Sequence, residues 1–169
     1  MGKRPILIVG SLSLKGYKIT KFLRNNGYTI IGTDRRKNGG RNKANKFMRV
    51  DLRNQNNVAL LLKLYTPSTI IYCMEEIKDE EQFNVVDYNP VVLQNLLIQM
   101  SQNNISEIAV CVENQSDKLD TPKDLGEFNL RMLTALFSQK YNWHSKILDK
   151  KDNLLKGIKE FVKGGGETK

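Results

Sequence analysis

Seven consecutive residues, Gly10-Ser11-Leu12-Ser13-Leu14-Lys15-Gly16, bring glycines, hydroxyls and an ammonium together at a spacing suited to cradling phosphate. They follow an apolar run, Ile6-Leu7-Ile8-Val9, and lead into a helical pattern. The spacing is that of a G-x-x-G-x-x-G turn with Ser13 in place of the middle glycine. Glycine at that point lets the backbone approach a pyrophosphate, which then rests on the amides of a helix N-terminus. Ser13 places a Cβ where such a ligand would press, and a hydroxyl that could donate to phosphate. Lys15 adds a positive charge beside it. Tight strand-to-helix turns are also glycine-rich for steric reasons alone, so the turn by itself leaves both readings open.

A second candidate lies twenty-four positions after Gly10, where Asp34 ends another apolar run. A carboxylate near this offset can accept hydrogen bonds from the ribose hydroxyls of NAD. Arg35, Arg36, Lys37, Arg41, Lys43 and Lys46 follow in one loop. An arginine there can accommodate a 2′-phosphate, so NADP stays open while Asp34 favours NAD. The loop reads equally as a solvated basic surface.

Other chemistry finds little support. His144, the one histidine, has no acidic or cysteine neighbour in sequence, and its reading is structural. Cys73 and Cys111 sit inside apolar runs without metal-ligand spacing, as buried reduced thiols would. Glu75, Glu76, Asp79, Glu80 and Glu81 cluster in a connection that reads as a solvated acidic loop, so no metal site is expected.

The elements that must position these groups alternate. Strand-like runs are Ile6–Val9, Tyr28–Thr33, Phe47–Val50, Thr69–Cys73, Ile105–Val112 and His144–Leu148. Each is nearly continuous in apolar residues, as parallel strands covered on both faces must be. Amphipathic segments between them are Lys15–Asn26, Gln55–Tyr65, Val91–Asn103, Leu125–Tyr141 and Asp152–Val162. This βα alternation predicts a doubly wound parallel α/β sheet of about six strands in the order 3-2-1-4-5-6. Residues 1–162 are expected to form one domain, and 163–169, rich in glycine, a disordered tail.

With the strands in place, the sequence resembles the extended short-chain dehydrogenase/reductase family, the NAD-dependent sugar-nucleotide epimerases and dehydratases. The matching segments are Ile6–Gly10 with the glycine turn, Gly27-Tyr28 through Ile30-Ile31-Gly32-Thr33-Asp34-Arg35, Val50-Asp51-Leu52-Arg53, and Asn89-Pro90-Val91-Val92-Leu93-Gln94-Asn95-Leu96-Leu97. The resemblance implies a Rossmann-like NAD(P)-binding domain. Gly10 to Gly16, Asp34, Arg35, Asp51 and Leu52 would then hold the cofactor, the Asp51 carboxylate reaching the adenine.

The departures fall on chemistry. Cys73-Met74-Glu75-Glu76 replaces the small residues the family carries after its fourth strand. Glu113-Asn114-Gln115-Ser116 replaces its hydroxyl pair after the fifth, leaving Ser116 displaced. The family's Tyr-x-x-x-Lys acid/base pair falls on about Lys123 and Glu127. Lys123 has no phenol, and a carboxylate at Glu127 would raise a phenol's pKa rather than lower it. Tyr17 and Lys21 have the pair's spacing but lie in the first helix, where it reads as coincidence. The chain also stops where the family's substrate-binding portion would continue.

Composition bounds the partners. The chain of 169 residues is 40% hydrophobic and 27% charged, with a net charge of +9. That excess suits anionic ligands without choosing one. Positive residues interleaved with acids, and no aromatic stacking platform, argue against nucleic acid. No apolar run reaches the length of a membrane span, and the first is too short for a signal peptide, so a cytoplasmic location is expected. No catalytic residue is assigned. The sequence predicts a degenerate epimerase/dehydratase-like domain, binding a dinucleotide or adenosine nucleotide, with any NAD binding weak or vestigial. A protein partner or a second copy of the chain is expected beside it. The alternative is an oxidoreductase or epimerase of sugar nucleotides completed by a partner subunit.

Overall fold

A computed structural model describes residues 4–37, 42–74, 85–113, 122–149 and 153–164. Six strands are present: β1 (Ile6–Val9), β2 (Ile30–Asp34), β3 (Lys46–Arg49), β4 (Thr69–Tyr72), β5 (Glu107–Cys111) and β6 (His144–Leu148). Every pairing is parallel and the order is β3-β2-β1-β4-β5-β6. This is the doubly wound, Rossmann-like sheet expected from the alternation. The helices are α1 (Leu14–Asn25), α2 (Gln55–Tyr65), α3 (Val85–Gln102), α4 (Pro122–Tyr141) and α5 (Leu154–Gly164).

Successive side chains of a strand point to opposite faces, and here both faces are apolar. Ile6 and Ile8 of β1 pack with Ile19 and Leu23 of α1 and with Ile158 and Phe161 of α5. Leu7 and Val9 face the other way, onto Val58 and Leu62 of α2 and Leu93 and Leu96 of α3. The edge strand β3 exposes Lys46 and Arg49 at its ends, charges that discourage further strand pairing. The register pairs Tyr72 with Val110, so Cys73 and Cys111 follow side by side, both buried and unbridged. His144 stacks on Phe161 at 4.5 Å between ring centroids, a packing role.

Helix boundaries differ from expectation by a residue or two at most ends and by three at the start of α4, which begins at Pro122 rather than Leu125, with the largest difference at α3. α3 begins at Val85 rather than Val91 and carries Pro90 within it. Proline removes one helical donor, yet the helix continues because the face beyond it, Val92, Leu93, Leu96 and Leu97, is fully buried. The Tyr72 hydroxyl also donates to the Asn89 carbonyl at 3.0 Å and fixes the backbone beside Pro90. α5 continues through Lys163 and Gly164, which the sequence assigned to the tail. Residues 165–169, the acidic connection carrying Glu75 to Glu81, and Ser116 lie outside the described residues. Among the described residues, no helix is long and apolar enough to cross a membrane.

Candidate functional site

The glycine turn leaves β1 above the carboxyl edge of the sheet, at the point where strand order reverses. Gly10 has φ +79°, and a Cβ there would lie 2.7 Å from the Cys73 carbonyl oxygen. Gly16 packs tighter still: a Cβ would lie 2.1 Å from the Gly10 carbonyl oxygen. The two outer glycines are therefore required by the turn itself.

Ser13 behaves differently from expectation. It is fully buried and caps α1, its Oγ accepting from the Gly16 amide at 2.9 Å. The same hydroxyl donates to the Cys73 carbonyl at 2.7 Å. A hydroxyl has one proton, so this one goes to the end of β4 and not to a phosphate. Ser13 thus replaces glycine by folding inward, tying the turn to β4. Lys15 extends the tie, donating from Nζ to the Val112 carbonyl, just past β5, at 3.1 Å. Its ammonium reaches across the edge from β1 towards β5, over the strand between them. Ser11 is buried against Thr33, and Leu14 is exposed.

At the other side of the turn, Asp34 is buried and its carboxylate accepts four hydrogen bonds. Oδ1 receives the Arg36 amide at 3.0 Å and Arg36 Nε at 2.9 Å. Oδ2 receives Arg36 Nη2 at 2.8 Å and the Leu12 amide at 3.2 Å. A carboxylate offers about four acceptor positions, so Asp34 is saturated by its own chain. Asp51 repeats the arrangement. Its Oδ1 takes the Arg53 amide at 3.0 Å, and both oxygens face the Arg53 guanidinium. Arg53 holds the Asp51 carboxyl below the usual aspartate range, chiefly through this side-chain hydrogen bond.

Both pairs border one cavity of about 560 Å³, lined by Arg35, Arg36, Arg49, Val50, Asp51 and Arg53. Its walls are braced from several elements. Arg49 donates to the Arg35 carbonyl at 2.9 Å, and Asn57 of α2 to the Asp51 carbonyl at 3.0 Å. Asn95 of α3 donates to the carbonyls of Leu52 and Arg53 at 3.1 and 2.7 Å. Leu52 itself is a core residue. Sequence reasoning missed the clamping by Arg36 and Arg53. The signal was present as a repeated Asp-x-Arg spacing, Asp34-Arg35-Arg36 and Asp51-Leu52-Arg53, each at the end of a strand.

The third cluster joins β5 to α4. Lys123 Nζ forms an ion pair with Glu113 Oε2, and Glu127 Oε1 accepts from the Glu113 amide at 2.8 Å. Tyr17 and Lys21 lie on α1.

A family model described as "NAD dependent epimerase/dehydratase family" matches residues 6–112. The chain belongs to this family. Its fold is shared with the UDP-glucose 4-epimerase of Thermotoga maritima, solved with UDP-glucose, at 15% identity and a TM-score of 0.75, covering 86% of this chain and 54% of that one. It is also shared with the L-threonine dehydrogenase of Clostridium difficile, at 18% identity and a TM-score of 0.74, covering 88% and 53%. For the UDP-glucose 4-epimerase of Brucella ovis in complex with NAD, the figures are 16% identity, a TM-score of 0.71, and coverage of 86% and 51%. The chain thus spans about half the length of the solved structures it matches. No curated protein matches it. Set against the dinucleotide that family membership implies, the glycine turn has the required close approach. At the adenosine end Asp34 already accepts four hydrogen bonds from its own chain, so a ribose there would be held by contacts other than this carboxylate.

Proposed function

We propose that this epimerase/dehydratase-like domain is a nucleotide-binding module without turnover of its own, holding an adenosine nucleotide by its adenosine half. The observation that carries the reading is the Glu113 cluster. Lys123 and Glu127 stand at the positions where the resemblance puts the acid/base pair, and both are engaged with Glu113. Neither supplies a phenol, the group that the resemblance makes the acid/base. Lys15, drawn to Val112, crosses the edge along which a nicotinamide half would extend, whereas the cavity beside Asp34 is open to an adenosine half.

The test is an assay of the purified chain with NAD and a sugar nucleotide, following NADH absorbance and product by NMR. No reduced cofactor and no epimerised sugar are expected. Steady NADH formation or epimerised product from the lone chain, abolished by Ser116→Ala or Tyr17→Phe, would overturn the reading. Membership of the epimerase/dehydratase family supports one second reading: an epimerase or oxidoreductase completed by another subunit. Turnover in a co-purified complex, absent from the lone chain, would select it.

A further inference from the structure

We infer that Cys73 and Cys111 are a thiol pair that closes to a reversible intramolecular disulfide, and that this bridge resets the glycine turn above it. Tyr72 of β4 is in register with Val110 of β5, so the next residue on each strand is a cysteine. Both cysteines belong to the apolar layer that holds Ile71, Ala109 and Ile19, so both thiols leave the sheet on the same face. In-register residues of neighbouring strands stand about 5 Å apart, within the Cα separation of roughly 4.4–6.8 Å that a disulfide spans. The sequence holds two cysteines, so neither has a competing cysteine in the chain.

The backbone here has the latitude the bond needs. The β4–β5 register runs to Tyr72 and Val110, and the cysteines stand just beyond it. Each is tied outward: the Cys73 amide donates to the Val9 carbonyl of β1 at 2.9 Å, and Cys111 pairs with Leu148 of β6. Drawing the two Cβ atoms to about 3.8 Å therefore acts past the last in-register pair. Cys73 Sγ faces the Ile71 carbonyl at 3.9 Å, a weak contact that its rotation gives up. Both thiols are buried, so the oxidant that suits them is a small one, hydrogen peroxide. One sulfur attacks a peroxide oxygen and becomes a sulfenic acid; the second sulfur then attacks the first and expels that oxygen. Two thiols and one peroxide become one disulfide and two waters, with two electrons passing from sulfur to oxygen.

The backbone that the bond moves also carries the ties of the turn. The Cys73 carbonyl accepts from Ser13 Oγ at 2.7 Å and lies where a Gly10 Cβ would have to go, at 2.7 Å. Val112, the residue after Cys111, accepts from Lys15 Nζ at 3.1 Å. Close-packed contacts pass a displacement on rather than absorb it. A shift of Cys73 towards β5 draws its carbonyl from Ser13, the residue that caps α1. Nucleotide affinity at the turn then falls, a consequence that rests on the nucleotide-binding reading; the bridge itself does not.

The test treats the full chain with hydrogen peroxide and follows it by mass spectrometry, by NMR of the backbone amides and by calorimetry with ADP-ribose. The oxidised chain should lose two hydrogens, yield a peptide linking Cys73 to Cys111, and return to its starting mass with dithiothreitol. The amide resonances of Gly10, Ser13 and Gly16 should shift with the bridge, and ADP-ribose should bind at least three-fold more weakly than to the reduced chain. In Cys111→Ala the same peroxide should leave those amides in place. Added oxygen on unlinked cysteines, or a link between two chains instead of within one, would overturn the inference. So would a bridged chain with unmoved turn amides, a bridged chain that binds ADP-ribose as tightly as the reduced one, or equal amide shifts in Cys111→Ala. If ADP-ribose binds neither form while the bridge closes and moves the turn, the nucleotide-binding reading falls and the disulfide stands.

Discussion

Removing the guanidinium of Arg36 would leave the buried Asp34 carboxylate with only the amides of Leu12 and Arg36 as donors. Arg36→Ala should therefore lower stability by about 1–3 kcal/mol, the usual range for a buried polar group that loses a partner. Urea unfolding of wild type and variant measures it, and a change within error would mean that the clamp is not formed in solution. Glycines give a sharper contrast. Gly16→Ala forces a Cβ onto the Gly10 carbonyl, backbone against backbone, so the variant should fail to fold or lose most of its stability. Gly126→Ala in α4 meets nothing within 4 Å and should raise stability by about 0.5–1 kcal/mol through helix propensity. Thermal unfolding of the two variants should move in opposite directions. At this scale the sequence was only partly legible. Gly10 and Gly16 announced a close approach, and one occurs. The direction of the Ser13 hydroxyl, and the partner of Asp34, were not readable, because each depends on which nearby group reaches the side chain first. For Ser13 that group is a carbonyl sixty residues away in sequence.

Elements bring these groups together, and their contributions respond to pH. The turn after β3 is closed by Asp51 and Arg53, and the Asp51 carboxyl is held below its ordinary range mainly by the Arg53 hydrogen bond. A carboxylate depressed in the folded state stabilises it above the unfolded-state pKa, and that contribution is lost as pH falls through the folded value. The pair is partly exposed, so its worth is about 0–1 kcal/mol. Asp51→Asn should therefore cost a small amount of stability at neutral pH, and the gap to wild type should close below the ordinary aspartate range. Paired denaturant titrations at neutral and strongly acidic pH check this, and a gap that widened on acidification would contradict it. Strands and most helices were legible because double-sided burial writes continuous apolar runs into a parallel sheet. The start of α3 was not, because a proline read locally ends a helix, while the buried face beyond Pro90 outweighs the single lost hydrogen bond.

For the whole molecule, strand order followed from βα alternation, and the observed order agrees at every pairing. The place of Arg49 in the cavity wall was not foreseen, since a charged residue there reads as solvated surface until the topology places Arg49 of β3 beside the loop that follows β2. In the proposed function the chain grips the adenosine half of a nucleotide and offers nothing productive to a nicotinamide half. Calorimetric titration of the full chain with NAD and with ADP-ribose decides this. Both should bind with dissociation constants on the order of 0.1–1 mM, equivalent to about 4–5.5 kcal/mol, and within a few-fold of each other. Micromolar binding of NAD that far exceeds ADP-ribose would overturn the proposed function, because it would require a formed nicotinamide site where Lys15 now reaches Val112.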